Sequence, residues 1–349
     1  MIDNKTFTNE WIESIVGKNI QEKKLFEKVT HAFYLLEILS ENKVDFIFKG
    51  GTSLMLLLNE FNRFSTDIDI LMSKKYFSSI NDILTNLTNT IFYNIDEDVR
   101  KPTDIIKKHF KFYYKSIYPS QVDPCVLLDI VFDKIPYENL VQKEIDCSFI
   151  KSVEPLRIVK TPSIDEMLGD KLTAFAPTTI GITYKSAKYV EIIKQLYDVS
   201  TLIDHCTDIA LVKSTYISVS KIQLRNRNLD IDYVLCLNDT LNACKLLLSD
   251  GNYGGNEKYY LLLKKGITGF KNYVRDSFQV QSTYALATNV YVFVIKLLYD
   301  ESPLLEEARP RNTFVGIRYK KIRQLIGLEN YSELMKAINI ELKRNKMDK

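Results

Sequence analysis

The sequence predicts an α/β domain at the N-terminus, followed by a mostly helical domain at the C-terminus. Up to about residue 150, short runs of β-branched and aromatic residues alternate with helical patterns; beyond it, apolar residues recur mainly at helical spacing. A chain of 349 residues is also too long for most single hydrophobic cores. We therefore assign residues 1–155 to the α/β domain and residues 156–349 to the helical domain.

Four strands are predicted in the first domain. The clearest are "DIDILM" at 67–72 and "VLLDIVFD" at 126–133, which are short runs dominated by β-branched and other apolar residues. "VDFIF" at 44–48 stops just before a glycine pair, and "HFKFYYKSI" at 109–117 is rich in aromatic residues. Apolar residues at helical spacing predict helices over 22–40, 52–61 and 75–92.

The second domain opens with a predicted helix over 163–176. Ser163 at its start and Glu166 three residues later have the spacing of a capping box. A further helix is predicted over 188–204, and nearly everything from residue 230 onward has a helical pattern.

Composition and charge exclude several classes of protein. Hydrophobic residues make up 46% and charged residues 26%, as in ordinary soluble globular proteins, and no apolar run is long enough to span a bilayer. The net charge of +3 neither demands nor excludes nucleic acid. Three histidines and five cysteines without a C-x-x-C pair argue against structural zinc and favour reduced, buried thiols. Because the N-terminus lacks a signal-peptide pattern, we expect a cytoplasmic protein.

Three aspartates are the first candidate functional residues. Asp67 and Asp69 lie two residues apart in a predicted strand, so their side chains point to the same face. Asp129 interrupts an otherwise apolar run, where an unpaired carboxylate is costly. If the two strands are neighbours, three carboxylates converge as two-metal phosphoryl transfer requires. The simpler alternatives are a solvated pair on an edge strand and a capped or salt-bridged core acid.

A glycine pair precedes these acids. Gly50 and Gly51 lie between a predicted strand and a predicted helix that begins near Thr52. Glycines let a ligand approach the backbone closely, and a helix N-terminus attracts anions. The arrangement predicts a phosphate-binding cradle, although a plain tight turn is the more ordinary meaning of two glycines. Neither a Walker loop nor a G-x-G-x-x-G fingerprint is present.

The stretch "GGTSLMLLLNEFNRFSTDIDI" at 50–70 resembles the nucleotidyltransferases of the DNA polymerase β superfamily. Within that superfamily it looks most like the AbiEii/AbiGii toxins of type IV toxin–antitoxin systems. The resemblance rests on the glycine turn, the R-F-S-T element from Arg63 to Thr66, and the D-x-D pair.

Two later motifs of that family are matched farther along the chain. A helical acid–lysine pair corresponds to Asp170 and Lys171, and a terminal basic–acidic helix is matched in part by Lys194 and Asp198. Gln195 departs from the family, which often has an acid at that position. The resemblance ends near residue 210.

The resemblance implies a mixed β-sheet flanked by helices and a site for a nucleoside triphosphate with magnesium or manganese. Asp67, Asp69 and Asp129 would bind the metal. The residues implied to bind the nucleotide are Gly50, Gly51, Thr52, Ser53, Ser65 and Lys171.

Lys171 and Asp198 complete the implied catalytic set. Lys171 would contact the triphosphate, and Asp198 would bind the nucleotide or the acceptor or help to place Lys171. The ordinary alternative is that both residues are solvated on helix surfaces. We expect replacement of Lys171 by alanine to leave the fold intact.

Two clusters combine basic and aromatic residues. "KKHFKFYYK" at 107–115 interleaves lysines with aromatic rings that can stack on bases, and 309–324 is a second basic segment. Either would suit an RNA acceptor such as tRNA. The alternatives are an amphipathic strand with a basic outer face and a solvated helix face.

The sequence thus predicts a magnesium-dependent nucleotidyltransferase toxin of a toxin–antitoxin or abortive-infection system. It would move a nucleoside monophosphate from a triphosphate to an acceptor, for which tRNA is the candidate. The implied protein partner is a winged-helix antitoxin encoded nearby. The alternatives are a non-catalytic nucleotide-binding module and a nucleotidyltransferase acting on a protein or a small molecule. The intact set of acids favours an enzyme, because a binding module has no need of three converging carboxylates.

Overall fold

The structure, a computed structural model, describes residues 1–299 except 43, 59–61, 86, 88–89, 100–104 and 276. These residues form two compact units. One is Met1–Ser163 with 272–275, and the other is Ile164–Lys271 with 277–299. The first unit ends beyond residue 155 because a last strand, at 158–162, completes its sheet.

A seven-stranded mixed sheet forms the centre of the first unit. Its strands are β1 Ile47–Lys49, β2 Asp67–Met72, β3 Phe92–Glu97, β4 Lys107–Tyr114, β5 Cys125–Phe132, β6 Leu140–Glu144 and β7 Ile158–Pro162. Their order across the sheet is β3-β4-β5-β2-β1-β7-β6. The pairs β2–β5 and β1–β7 are parallel, and the other four neighbouring pairs are antiparallel.

Alternation along the central strands separates a buried face from a half-exposed one. In β5, Val126, Leu128, Ile130 and Phe132 are fully buried, whereas the residues between them are half-buried. Because successive strand residues point to opposite faces, the apolar set packs into the core and the other set, which includes Asp129, does not. The helices of this unit are α1 Asn9–Val16, α2 Ile20–Glu41, α3 Gly50–Leu57 and α4 Ile80–Thr85.

The second unit has α-helices joined by loops and short 3-10 turns over its described residues. Its helices are α5 Ile164–Ala174, α6 Tyr189–Ile203, α7 Ile209–Asn226, α8 Tyr233–Leu248, α9 Glu257–Phe270 and α10 Val280–Tyr299. Helix α5 packs on α6 and α7, and α10 packs on α6 and α8. None of the described helices of the chain is long and apolar enough to cross a membrane.

Most predicted elements of the first unit are present, but one is largely wrong. The helix predicted over 75–92 is reduced to Ile80–Thr85, and Phe92 begins strand β3. The sequence also did not predict β6 and β7, because both are short and carry polar residues that blur the strand pattern. The second basic cluster, at 309–324, lies outside the described residues.

The cysteines are free thiols, as expected, but only some are buried. Cys236 and Cys244 are buried, whereas Cys125, Cys147 and Cys206 are only half-buried.

Candidate functional site

The parallel pairing of β2 and β5 places the three aspartates on one face of the sheet. Asp69 lies directly opposite Asp129 in the register, and Asp67 is two residues before Asp69 on the same face. The row continues on both sides, with Lys49 of β1 opposite Asp69 and His109 of β4 opposite Asp129. The two strands that carry the aspartates are therefore neighbours, as convergence of the three carboxylates requires. Strand β2 is central, so the alternative of an edge strand is wrong.

Each carboxylate also has its own close neighbour. Asp129 Oδ1 lies 2.7 Å from His109 Nδ1, so Asp129 is paired but not a core acid, since 31% of its side chain is exposed. Asp67 Oδ1 lies 3.5 Å from Nζ of Lys28, which reaches it from α2. The carboxylate of Asp69 lies against Gly50.

The donor set suits a divalent metal by its chemistry. Carboxylate oxygens are the ligands that Mg²⁺ and Mn²⁺ accept in proteins, and three of them share one face of two registered strands. Among the described residues, however, no group of three or more His, Cys, Asp or Glu side chains is gathered in a way that could hold an ion. The backbone thus brings the acids together, and the side-chain positions would have to close on an ion.

The glycine turn and the aspartates are packed into one local structure. Gly50 has φ +82°, in the left-handed region, and a Cβ on it would overlap the carboxyl group of Asp69. A Cβ on Gly51 would lie 2.6 Å from both Arg63 Nη2 and Ser65 Oγ. Both glycines are therefore required where the turn meets the residues around the D-x-D pair. A plain tight turn does not account for this close approach.

Helix α3 begins at this turn with no side-chain cap on its N-terminus. Its first backbone N–H groups, including those of Gly50 and Gly51, have no partner within the helix, as at every helix start. The hydroxyl of Thr52 donates to the carbonyl of Asp67 at 2.6 Å, and that of Ser53 donates to the carbonyl of Gly50 at 2.9 Å. Since both residues are fully buried and both hydroxyls already donate within the protein, neither hydroxyl faces a ligand.

We expect Gly50→Ala to lower both the stability and any activity of this site. The substitution adds the backbone strain of a positive φ, about 1–2 kcal/mol, and also forces the Asp69 carboxylate to move. Gly255→Ala is the control for a positive φ without overlap, because Gly255 has φ +68° and a Cβ added to it would meet no atom within 4 Å. Denaturant unfolding of the two variants separates strain from overlap, and equal losses would contradict the close contact.

The second unit holds Lys171 and Asp198 as a buried pair. Lys171 Nζ donates to Asp198 Oδ2 at 2.9 Å and to Gln195 Oε1 at 3.3 Å. Lys171 is 7% exposed and Asp198 is fully buried, so the alternative of solvated helix surfaces is wrong for both. Gln195, which departs from the family pattern, is thus a direct partner of the lysine. The hydrogen bond from Lys171 to Asp198 is the contact that one of the roles implied by the resemblance, the placing of Lys171, would need.

The first basic cluster is an amphipathic strand rather than a stacking platform. Phe110, Phe112 and Tyr114 are buried in the core, so their rings do not face a ligand. Lys108, Lys111 and Lys115 form ion pairs with Glu97, Asp98 and Asp123. The plainer alternative is therefore confirmed for this segment.

Sequence reasoning assigned no role to His109 and Lys28. His109 carried a weak signal, a titratable residue among alternating aromatic residues, but its partner Asp129 is 20 residues away. Lys28 lies in α2, almost 40 residues before Asp67, and nothing local in the sequence connects the two.

Comparison with known proteins gives a family and a fold. A family model described as "Nucleotidyl transferase AbiEii toxin, Type IV TA system" matches residues 34–241. None of the curated proteins searched matches the chain. Among solved structures, MenT4, a nucleotidyltransferase toxin from Mycobacterium tuberculosis H37Rv, is similar with a TM-score of 0.53 and 12% identity. The match covers 96% of this chain and 99% of that one, and at this identity it is a likeness of fold.

Proposed function

The chain belongs to the nucleotidyl transferase AbiEii toxin family of type IV toxin–antitoxin systems. From this premise we propose that it transfers a nucleoside monophosphate from a nucleoside triphosphate to an acceptor in a metal-dependent reaction that releases pyrophosphate. The candidate acceptor is RNA, with tRNA as the first to test. The observation that carries the proposal is the register of β2 and β5, with Asp69 opposite Asp129 beside the Gly50 turn. An arrangement of three acids next to a helix N-terminus suits a triphosphate with its metal.

Each part of the candidate site has a proposed role. Asp67, Asp69 and Asp129 would hold Mg²⁺ or Mn²⁺, which when bound polarises phosphoryl oxygens and neutralises their charge. The backbone N–H groups at Gly50 and Gly51 would receive phosphate oxygens. Ser65 lies beside Gly51 and would border the nucleotide.

For Lys171 we propose contact with the triphosphate, with Asp198 and Gln195 setting the position of its ammonium group. An ammonium whose hydrogen-bond partners are fixed loses less freedom when it meets a phosphate, which favours binding. The acid–lysine motif of the family supports this role.

The direct test uses nucleoside triphosphates labelled at either the α- or the γ-phosphorus. The protein is incubated with each of the four, with magnesium and total RNA, and the products are separated into RNA, protein and small molecules. We expect α-label, but not γ-label, to appear on RNA. Label on protein would favour the alternative acceptor, and nucleotide binding without any transfer would favour the non-catalytic module.

We expect transfer to depend entirely on a divalent metal. The three acids on one sheet face cannot by themselves attract a triphosphate, because like charges repel, so an ion of opposite charge must lie between them. Excess chelator should abolish transfer, and Mg²⁺ or Mn²⁺ added beyond the chelator should restore it. Full transfer in excess chelator would contradict the proposal.

The family also motivates a test in cells. We propose that expression arrests growth and that co-expression of a winged-helix protein encoded beside it relieves the arrest. Growth arrest that persists with an Asp69→Asn variant would show that toxicity does not require the candidate site.

A further inference from the structure

His109 is placed by the sheet beside the acid that it contacts. Strand β4 pairs with β5 in antiparallel register, and His109 lies directly opposite Asp129. Its Nδ1 is 2.7 Å from Oδ1 of Asp129. Because an ionised carboxylate can only accept hydrogen bonds, Nδ1 carries the hydrogen and donates it.

Both partners are held on rigid supports. The strand neighbour of His109, Phe110, is 3% exposed, and the neighbours of Asp129, Leu128 and Ile130, are fully buried. The side chain of His109 itself is 15% exposed. A donor anchored in this way fixes the rotation of the carboxyl group that it contacts, since the bond engages one oxygen and not the other.

We infer that His109 is a positioning residue for the metal-binding role of Asp129, an inference that rests on the proposed function. Hydrogen bonds to a ligating carboxylate orient it, and their loss typically weakens metal affinity about 10- to 100-fold. In the row of four registered residues, Asp69 is flanked by Asp129 on one side and Lys49 on the other, and Asp129 by Asp69 and His109. His109 thus supports the outer acid of the pair from the side opposite to Asp69.

The test measures Mn²⁺ binding directly, by electron paramagnetic resonance titration with Mn²⁺ alone. His109→Ala removes the donor and should weaken Mn²⁺ binding about 10- to 100-fold. His109→Asn keeps a side-chain N–H donor of similar reach and should recover most of that loss. His205→Ala is the matched control, because Nδ1 of this exposed histidine contacts the backbone carbonyl of Thr201 instead of an acid.

The outcomes separate the inference from the proposed function. All titrations are made well below the melting temperature of each variant. If the wild-type chain binds Mn²⁺ and Asp129→Asn weakens it, but His109→Ala does not, the inference fails while the proposed function stands. Failure of His109→Asn to bind better than His109→Ala also overturns the inference. If the wild-type chain does not bind Mn²⁺, both fail.

Discussion

Asp69→Asn is expected to abolish transfer while leaving the fold intact. Asparagine keeps the shape of the side chain and removes the charge that would hold the metal. Phosphoryl transfer is catalysed mainly by positioning and electrostatic stabilisation, and loss of one such contact commonly costs about 100-fold or more in rate. Asp69 lies between Lys49 and Asp129 in the register, so the loss affects the centre of the acid row. Removing one charge from a group of like charges should keep or raise the melting temperature.

The matched control for this substitution is Asp96→Asn. Asp96 is exposed on β3. Across the sheet it is paired with Lys111, which is paired with Leu127, which is paired with Asp67. Asp96 is therefore three strands, or about 14 Å, away from Asp67. It should retain full activity. Asp67→Asn should be inactive, and loss of its ion pair with Lys28 should cost no more than about 1 kcal/mol. If Asp67→Asn and Asp69→Asn both remain active, the D-x-D pair is part of the fold and not of a catalytic site. If both variants unfold, the two aspartates are needed for stability.

Comparison of the predicted with the observed strands shows which elements a local sequence pattern can predict. Strand β2 was predicted with its observed bounds, because "DIDILM" contains its own period of two and is buried on one face. Strands β6 and β7 were not predicted, because each has only five residues. They pair with each other across a loop, and no local sequence pattern predicts that pairing. The segment 75–92 has apolar residues at helical spacing, yet the sheet recruits its last residue into β3. Tertiary pairing there outweighs local preference.

The candidate site was predictable to the extent that its residues are close in sequence. Gly50, Asp67 and Asp69 lie within 20 residues, and their spacing alone suggested one site. The contact of His109 with Asp129 depends on the register of an antiparallel pair, which no spacing encodes.

The burial of Lys171 does have a local signal in the sequence. Met167 and Leu168, four and three residues before it, are apolar and fully buried, so the lysine lies on the apolar side of its helix. A charged residue on such a face indicates a buried partner.

This burial reverses the expectation that Lys171 can be removed without harm. Asp198 is fully buried, so Lys171→Met would leave its carboxyl group in the core without the ammonium group that pairs with it. Breaking a buried pair from one side typically costs about 3–5 kcal/mol, whereas replacing both partners by apolar residues is often neutral. We therefore expect Lys171→Met to lower the free energy of unfolding by about 3–5 kcal/mol, and Asp198→Leu added to it to recover most of that loss.

The experiment follows denaturant unfolding by far-ultraviolet circular dichroism, which reports mainly on helices. Trp11, the one tryptophan of the sequence, lies in the first unit, so its fluorescence follows that unit separately. Lys221→Met is the matched control, since Lys221 is exposed on α7 and its replacement should cost at most about 0.5 kcal/mol. If Lys171→Met unfolds at the same denaturant concentration as this control, the pair does not stabilise the unit. The double variant also tests the pair in transfer: a folded protein without transfer supports a role for Lys171 or Asp198 in the reaction, and a folded protein with full transfer confines both residues to structure.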